Sequence, residues 1–228
     1  MSITRNAVYE SGLQRRSLPG DNPAVGFVAA PLTTVGAGAI TAAMLVAGNL
    51  RRTGPTGAYT DTLPTAEQIC AALRGVSSLG EFTPGMGFVF RHINTVAYAA
   101  TIAVPASSGI SLSTSVFSTV TANAASQWRD YFIELGSAPV PAKQFSARTI
   151  NGSKRIIFDA ALPAGSIVNG MSVYGTGVGA SAKVSNMIYS ASGIAEVLVD
   201  VNSTADGSSI NISFTPTIVV HSVGAGDL

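Results

Sequence analysis

The chain contains 228 residues, which is enough for one large domain or two small ones. Only 11% of the residues are charged, compared with about 25% in an average soluble protein. Thirteen lysines and arginines against twelve aspartates and glutamates leave a net charge of +1, which excludes a strong general attraction to nucleic acid or to an anionic membrane surface. So little charge favours a protein that covers much of its surface with neighbouring subunits.

The mean hydropathy of +0.38 comes from dispersed alanine, valine and isoleucine. No stretch of about 18 residues is free of polar and turn-forming residues, so the sequence predicts no membrane-spanning helix. Residues 1–22 include Arg5, Arg15 and Arg16, have few apolar groups and lack the apolar segment of a signal peptide. Because such a segment cannot bury a core of its own, we expect it to be an arm that docks on the main body or on a neighbouring subunit. The alternative is a strand or short helix folded back on its own domain.

A first domain is predicted for residues 23–138, and its early part contains the helices. Thr41 is placed to cap a short helix within residues 40–48. A Pro-Thr-Gly turn at 55–57, between two short polar segments, predicts a β-hairpin.

The clearest predicted helix follows, in TAEQICAALRG. Thr65 and Gln68 have the spacing of a capping box, Ile69 and Leu73 form an apolar face, and Gly75 is placed to end the helix. Cys70 is the only cysteine, so there is no intrachain disulfide, and on this helix we interpret it as a small core residue.

Beyond residue 85 the apolar residues alternate with a period of two, which predicts strands. The segments are GFVFRHI, AYAATIAV, GISLS, VFSTVT and QWRDYFIEL. Strands at this spacing predict a β-sandwich or a jelly-roll-like fold for the first domain.

Two prolines make residues 139–143 the expected linker to a second domain at 144–228. Its segments KRIIF, SIVNGMSVYG, AKVSNMIY, IAEVLVDV, SINISF and TIVVHSV alternate as strands and are separated by NGS, ASG and DGS turns. They predict a second, smaller β-sandwich.

Two glycine-rich runs, VGAGAITAA at 35–43 and GTGVGAS at 175–181, raise the question of phosphate binding. A dinucleotide site needs a strand, a glycine turn and a helix, whereas the second run precedes the strand-like KVSNMIY. Neither run ends in the Gly-Lys-Ser/Thr of a P-loop. We therefore interpret these glycines as positive-φ positions in loops between strands and predict no nucleotide or other cofactor.

The remaining chemically active residues are scattered. His92 and His221 lie far apart without metal-ligand spacing, so we expect hydrogen-bonded structural histidines and no metal. Asp130 and Glu134 share one face of a predicted strand with Trp128 and suggest a glycosidase pair. A simpler explanation is that these acids lie on the side of an edge strand that faces solvent or a neighbouring subunit.

Two parts of the chain resemble modules of viral structural proteins. Residues 40–73 and 85–135 resemble a module in structural proteins of bacteriophages and other large DNA viruses, through the TDTLPTA run at 60–66 and the FxFRxxN strand at 88–94. Residues 169–214, opened by GMxVxGTG, resemble a second β module of virion and tail proteins. The resemblance supplies no catalytic residues.

The resemblance implies a non-enzymatic virion structural protein: a capsid, cement or decoration subunit made in the host cytoplasm. It implies other virion proteins as partners, a homo-oligomer and, by analogy, a trimer, with no small-molecule substrate. The alternative is a tail or spike module that binds glycan receptors. In that case Tyr59, Tyr98 and Trp128 are the expected contact aromatics.

Overall fold

The computed structural model of the chain describes residues 30–76, 82–113 and 127–227. The chain divides into two compact units, of which unit 1 runs up to Leu135 and resumes at Ile218, and unit 2 spans Gly136–Thr217. Strands dominate both units, so the expected mainly β fold class with short helices is confirmed. In the described ranges no helix is long and apolar enough to cross a membrane.

In chain order, the elements up to residue 135 are β1 (Ala30–Leu32), β2 (Gly38–Ala39), α1 (Ala42–Val46), β3 (Asn49–Arg52), β4 (Tyr59–Thr62), α2 (Ala66–Val76), β5 (Gly87–Asn94), β6 (Ala100–Ala103), β7 (Ile110–Leu112) and β8 (Gln127–Leu135). They are followed by β9 (Lys143–Thr149), β10 (Arg155–Leu162), β11 (Ser172–Tyr174), β12 (Val184–Ser190), β13 (Gly193–Val199), β14 (Gly207–Thr215) and β15 (Ile218–Asp227). The predicted strand VFSTVT lies outside the described residues.

In the first part of unit 1 the chain winds repeatedly from one sheet to a second sheet and back, and each such winding is called a coil here. In the larger sheet β1, β3 and β5 pair in parallel, and in a three-stranded sheet β2, β4 and β6 also pair in parallel. The chain therefore visits the two sheets alternately, and each coil lies beside the previous one. The larger sheet has the order β1-β3-β5-β8-β15-β7, with β8 antiparallel to both of its neighbours.

The hairpin predicted around residues 55–57 is wrong. β3 and β4, the strands on either side of that turn, belong to different sheets. Leu50 and Arg52 on β3 and Tyr59 and Asp61 on β4 are all buried, so the turn leads the chain around the core. A Pro-Thr-Gly turn suits either path, because its local backbone preference does not specify the partner strand.

Both predicted helix starts are confirmed by their capping bonds. In α1 the Thr41 Oγ1 accepts a hydrogen bond from the Met44 N–H at 3.2 Å. In α2 the Thr65 N–H donates to Gln68 Oε1 at 2.8 Å, and the Gln68 N–H donates to Thr65 Oγ1 at 3.2 Å. These bonds satisfy N–H groups that lack partners within the first turn of a helix.

The apolar face of α2 packs into the core of unit 1. Ile69, Cys70 and Leu73 are fully buried there, as the sequence predicted. The expected stop at Gly75 is wrong by one residue, because the helix ends at Val76. Strand residues complete this core, including Leu50, Phe88, Phe90, Tyr131, Ile133, Leu135, Ile218 and Val220.

Unit 2 contains one antiparallel sheet whose two end strands meet. The strand order is β11-β14-β9-β10-β13-β12. The Val173 N–H on β11 donates to the Ala182 carbonyl at 2.8 Å, and the Val184 N–H on β12 donates to the Met171 carbonyl at 2.9 Å. The sheet is thereby closed into a small barrel, filled by the buried residues Ala147, Ile156, Phe158, Met171, Val197, Ile212 and Phe214 among others.

The expected C-terminal domain at 144–228 needs correction at both ends. β15 completes the larger sheet of unit 1, where it pairs with β8 from Ile218 to Asp227. The predicted linker 139–143 lies within unit 2, which starts at Gly136. Alternation identified 217–223 as a strand but contains no information about the partner strand. β9 was missed, because four of its seven residues are polar and exposed.

Candidate functional site

A buried ionic cluster links the first coils of unit 1. Arg52 on β3 and Asp61 on β4 are fully buried, and Arg52 Nε donates to Asp61 Oδ1 at 3.1 Å and Oδ2 at 2.9 Å. Arg52 also donates through Nη1 to the carbonyls of Leu32 at 3.0 Å and Thr34 at 2.8 Å, and through Nη2 to the carbonyl of Gly36. One guanidinium thus fixes the turn between β1 and β2.

Asp61 completes this arrangement from the second sheet. Its Oδ1 accepts the backbone N–H of Gly38 on β2 at 2.9 Å. A buried carboxylate is costly unless its oxygens are bonded, and here Asp61 receives donors from both Arg52 and Gly38. The cluster therefore fixes the positions of β2, β3 and β4 relative to one another.

Tyr59 belongs to this cluster, so its prediction as a surface contact residue is wrong. Its side chain is only 5% exposed, and the Arg52 Cζ lies 4.7 Å from the centre of its ring. Burial, followed by the charge of Asp61, raises the pKa of the Tyr59 hydroxyl above its ordinary value. A β-strand aromatic with period-two neighbours fits a core face as well as a surface groove, which explains the wrong choice.

His92 on β5 adjoins the same cluster. It is fully buried, with Nε2 3.6 Å from Asp61 Oδ2. Among the described residues neither ring nitrogen has a hydrogen-bond partner, so His92 is a core residue as expected but lacks the expected hydrogen bonds. The His92 ring and the Asp61 carboxylate are separated by slightly more than a hydrogen-bond distance.

On the outer face of the larger sheet, Arg91 is hydrogen-bonded to Asp130 and stacks over the ring of Trp128. Arg91 Nε and Nη2 donate to the two Asp130 oxygens at 2.7 and 2.8 Å, and Arg91 Cζ lies 4.1 Å from the centre of the Trp128 ring. The hydrogen bond to Asp130 raises the pKa of Arg91. Trp128 is half-buried, with Arg91 placed over its ring.

The second acid of this face, Glu134, bonds to the opposite neighbour. Its Oε2 lies 2.6 Å from His221 Nε2 on β15, and the ring of Phe132 lies 6.0 Å from that of His221, centre to centre. Asp130 and Glu134 share a face as predicted, but each is engaged with a different adjacent strand. The edge-strand interpretation is wrong, because β8 lies inside the sheet between β5 and β15.

The other predicted contact residues are Tyr98 and the three arginines of the N-terminal segment. Tyr98 is 41% exposed on the loop after β5, where its carbonyl accepts a hydrogen bond from Asn94 Nδ2 at 2.8 Å. Arg5, Arg15 and Arg16 lie outside the described residues.

The GTGVGAS run is a loop between β11 and β12, as predicted, and a strand follows it. Gly177 has a φ of +76°, and a Cβ there would lie 2.9 Å from the Ala205 carbonyl oxygen. We also expected positive φ at the other glycines of this run and at Gly36 and Gly38, and these predictions are wrong. At Gly38 close packing against Leu32 and Asp61 is the constraint instead.

Two further residue classes bear on chemistry. Cys70 is fully buried, and burial raises the pKa of its thiol to about 12, consistent with a core residue. Over the described ranges, no group of three or more histidine, cysteine, aspartate or glutamate side chains could hold a metal ion.

Sequence reasoning missed Arg52 and Asp61. A signal was present, because Arg52 has the same strand parity as the apolar Leu50, and a charged residue on a core-facing position requires a buried partner.

No protein-family model matches the chain, and comparisons with curated proteins and with solved structures find no significant match.

Proposed function

We propose that the chain is a non-enzymatic structural subunit of a virion, in the capsid shell or as a cement or decoration protein on it. Its partners are neighbouring copies and other virion proteins, and its site of action is the particle. By the resemblance to virion modules, the homo-oligomer is a trimer.

The observation that supports this proposal most is the role of the residues behind the resemblance. In the TDTLPTA run, Asp61 bonds Arg52, Leu63 and Ala66 are buried, and Thr65 caps α2. These are scaffold roles. A motif in which these four members support the fold favours a family defined by its architecture rather than by a reaction.

The strand at 88–94 supports the same conclusion. Phe88 and Phe90 are core residues, Arg91 bonds Asp130 across the sheet, and Asn94 holds the following loop through the Tyr98 carbonyl. Together with the low charge of the chain, this arrangement suits a rigid body that contacts neighbours over weakly charged surfaces.

Mass spectrometry of density-purified particles tests the proposal. The particles come from the system that encodes this sequence. We expect the chain in fixed stoichiometry to the major shell protein and co-sedimentation of added purified chain with shells that lack it. Absence from the particles, together with no binding to such shells, would refute the proposal.

A receptor-binding module is the second candidate, and exposed tyrosines favour it. Tyr98 is 41% exposed and Tyr189 on β12 is 57% exposed, and aromatic rings are common platforms for sugars. A glycan array tests this candidate with the wild type and with Tyr98→Ala and Tyr189→Ala. Specific hits that one substitution removes would support glycan binding, and an array without hits would exclude it for the glycans displayed.

A further inference from the structure

Unit 2 interrupts unit 1 at one place. Leu135 at the end of β8 pairs with Ile218 at the start of β15. In unit 2 the Gly136 N–H donates to the Thr217 carbonyl at 2.9 Å, and the Thr217 N–H donates to Ser137 Oγ at 3.0 Å. The chain therefore leaves and returns through adjacent, hydrogen-bonded residues, at a position where a short hairpin turn would join β8 to β15.

The core of unit 2 is built from its own residues. Its buried cluster runs from Ala147 to Phe214 in sequence. Phe158 and Phe214 of this cluster and the partly buried Phe145 packed against it form an aromatic group, with ring centres 5.8 to 6.2 Å apart. A continuous segment with its own core and closely spaced ends has the properties of an independently folding insert.

The two units differ in their strand edges. In unit 2 the bridge between Ser172 and Lys183 joins the end strands. In unit 1 the end strands β1, β2, β6 and β7 each have a single partner strand within the described ranges. Backbone groups on open edges pair readily with strands of other chains, whereas closing a sheet removes such edges.

We infer that unit 2 is an independently folding insert and that association between copies of the chain depends on unit 1. The second half of this inference rests on the proposed structural function. It predicts that unit 2 can lose its structure while unit 1 stays folded and the oligomer stays assembled.

The test uses the full chain with one core substitution in either unit. Phe214→Ala removes a fully buried ring from unit 2, and Phe90→Ala removes a matched ring, 1% exposed, from unit 1. Hydrogen exchange followed by mass spectrometry reports each unit separately, and light scattering after size exclusion reports the mass of the assembly.

For Phe214→Ala we expect faster exchange in peptides from 143–215, unchanged exchange in β5, β8 and β15, and an unchanged oligomer mass. For Phe90→Ala we expect faster exchange in unit 1 and a loss of assembly. Should Phe214→Ala be insoluble, Ile212→Val gives the same readouts with a smaller perturbation.

Faster exchange in both units of Phe214→Ala would overturn the independence of unit 2. Dissociation of the oligomer by that substitution would overturn the assignment of association to unit 1. A monomeric wild type would instead refute the assembly role itself and the assignment with it, and the exchange pattern would still decide whether unit 2 folds independently.

Discussion

Arg52 shows how a charged side chain can stabilise a β core. A buried guanidinium is expensive to remove from water, but here its donors meet three backbone carbonyls and the Asp61 carboxylate. The planar fork of arginine can reach such spread acceptors simultaneously, whereas a lysine ammonium is a compact point charge. Arg52 therefore provides in one side chain the bonds that fix the short first coil.

Replacing Arg52 tests this role against a neighbour on the same strand. We expect Arg52→Met to lower the free energy of unfolding by about 3–5 kcal/mol, because it leaves the buried Asp61 carboxylate without its cation. Arg51→Met is the matched control at an exposed position, with an expected change within about 0.5 kcal/mol. Urea unfolding measures both variants. Equal stability of the two would show that the cluster does not support the coil.

Cys70 gives a second prediction at this scale, through its pKa. Because the folded-state pKa is raised to about 12, the thiol stays protonated and unreactive in the native protein, since the thiolate is the reacting form. We expect no reaction with Ellman's reagent at pH 8 in buffer and one thiol per chain in denaturant. The stabilisation linked to this group is complete below the unfolded pKa of about 8.5 and is lost as the pH rises towards the folded value. Rapid labelling of the native chain at pH 8 would contradict the burial of Cys70.

At the scale of elements, alternation predicted which way side chains point but not which strands pair. The period of two correctly assigned Phe88 and Phe90 to one face of β5 and Arg91 to the other. Strand direction was not predictable in this way, because parallel and antiparallel neighbours bury the same alternate positions. The parallel coils, and the placement of β15 beside β8, depend on long-range pairing that local patterns do not encode.

Capping bonds, in contrast, were predictable because they join residues that are close in sequence. The Thr65 and Gln68 pair acts within four residues, so the sequence contains the whole interaction. The Arg52 cluster joins residues from 32 to 61 across two sheets, and its geometry exists only after the coils have formed. Local interactions are therefore recoverable from this sequence, while for the cluster assembled between coils the sequence indicates only that Arg52 needs a buried partner and does not identify that partner.

The loop at GTGVGAS allows a test of one element. We expect Gly177→Ala to destabilise the protein by about 1–2 kcal/mol or more, because its φ of +76° is unfavourable for alanine and the added Cβ would crowd Ala205. Gly57 has no atom within 4 Å of an added Cβ and no positive φ, so Gly57→Ala is the matched control with an expected change within about 0.5 kcal/mol. Thermal unfolding compares them, and a neutral Gly177→Ala would mean that the loop tolerates a side chain.

The described residues form two β units with separate cores, on a chain with little charge and a polar N-terminal segment. The composition predicts a weakly charged surface, and the assembly role stays a prediction of the resemblance. The sequence did not predict that the segment forming unit 2 is inserted within the segment forming unit 1. The first and last described strands, β1 and β15, both belong to unit 1.

The mass of the purified protein in solution decides whether this chain acts by assembling, as we propose. Light scattering after size exclusion is measured over a range of concentrations, for the full chain and for a version without residues 1–22. We expect a defined oligomer for the full chain and a weaker one without the segment that contains Arg5, Arg15 and Arg16. A compact monomer in both cases, even at high concentration, would contradict an assembly role and would favour a binding module that acts alone.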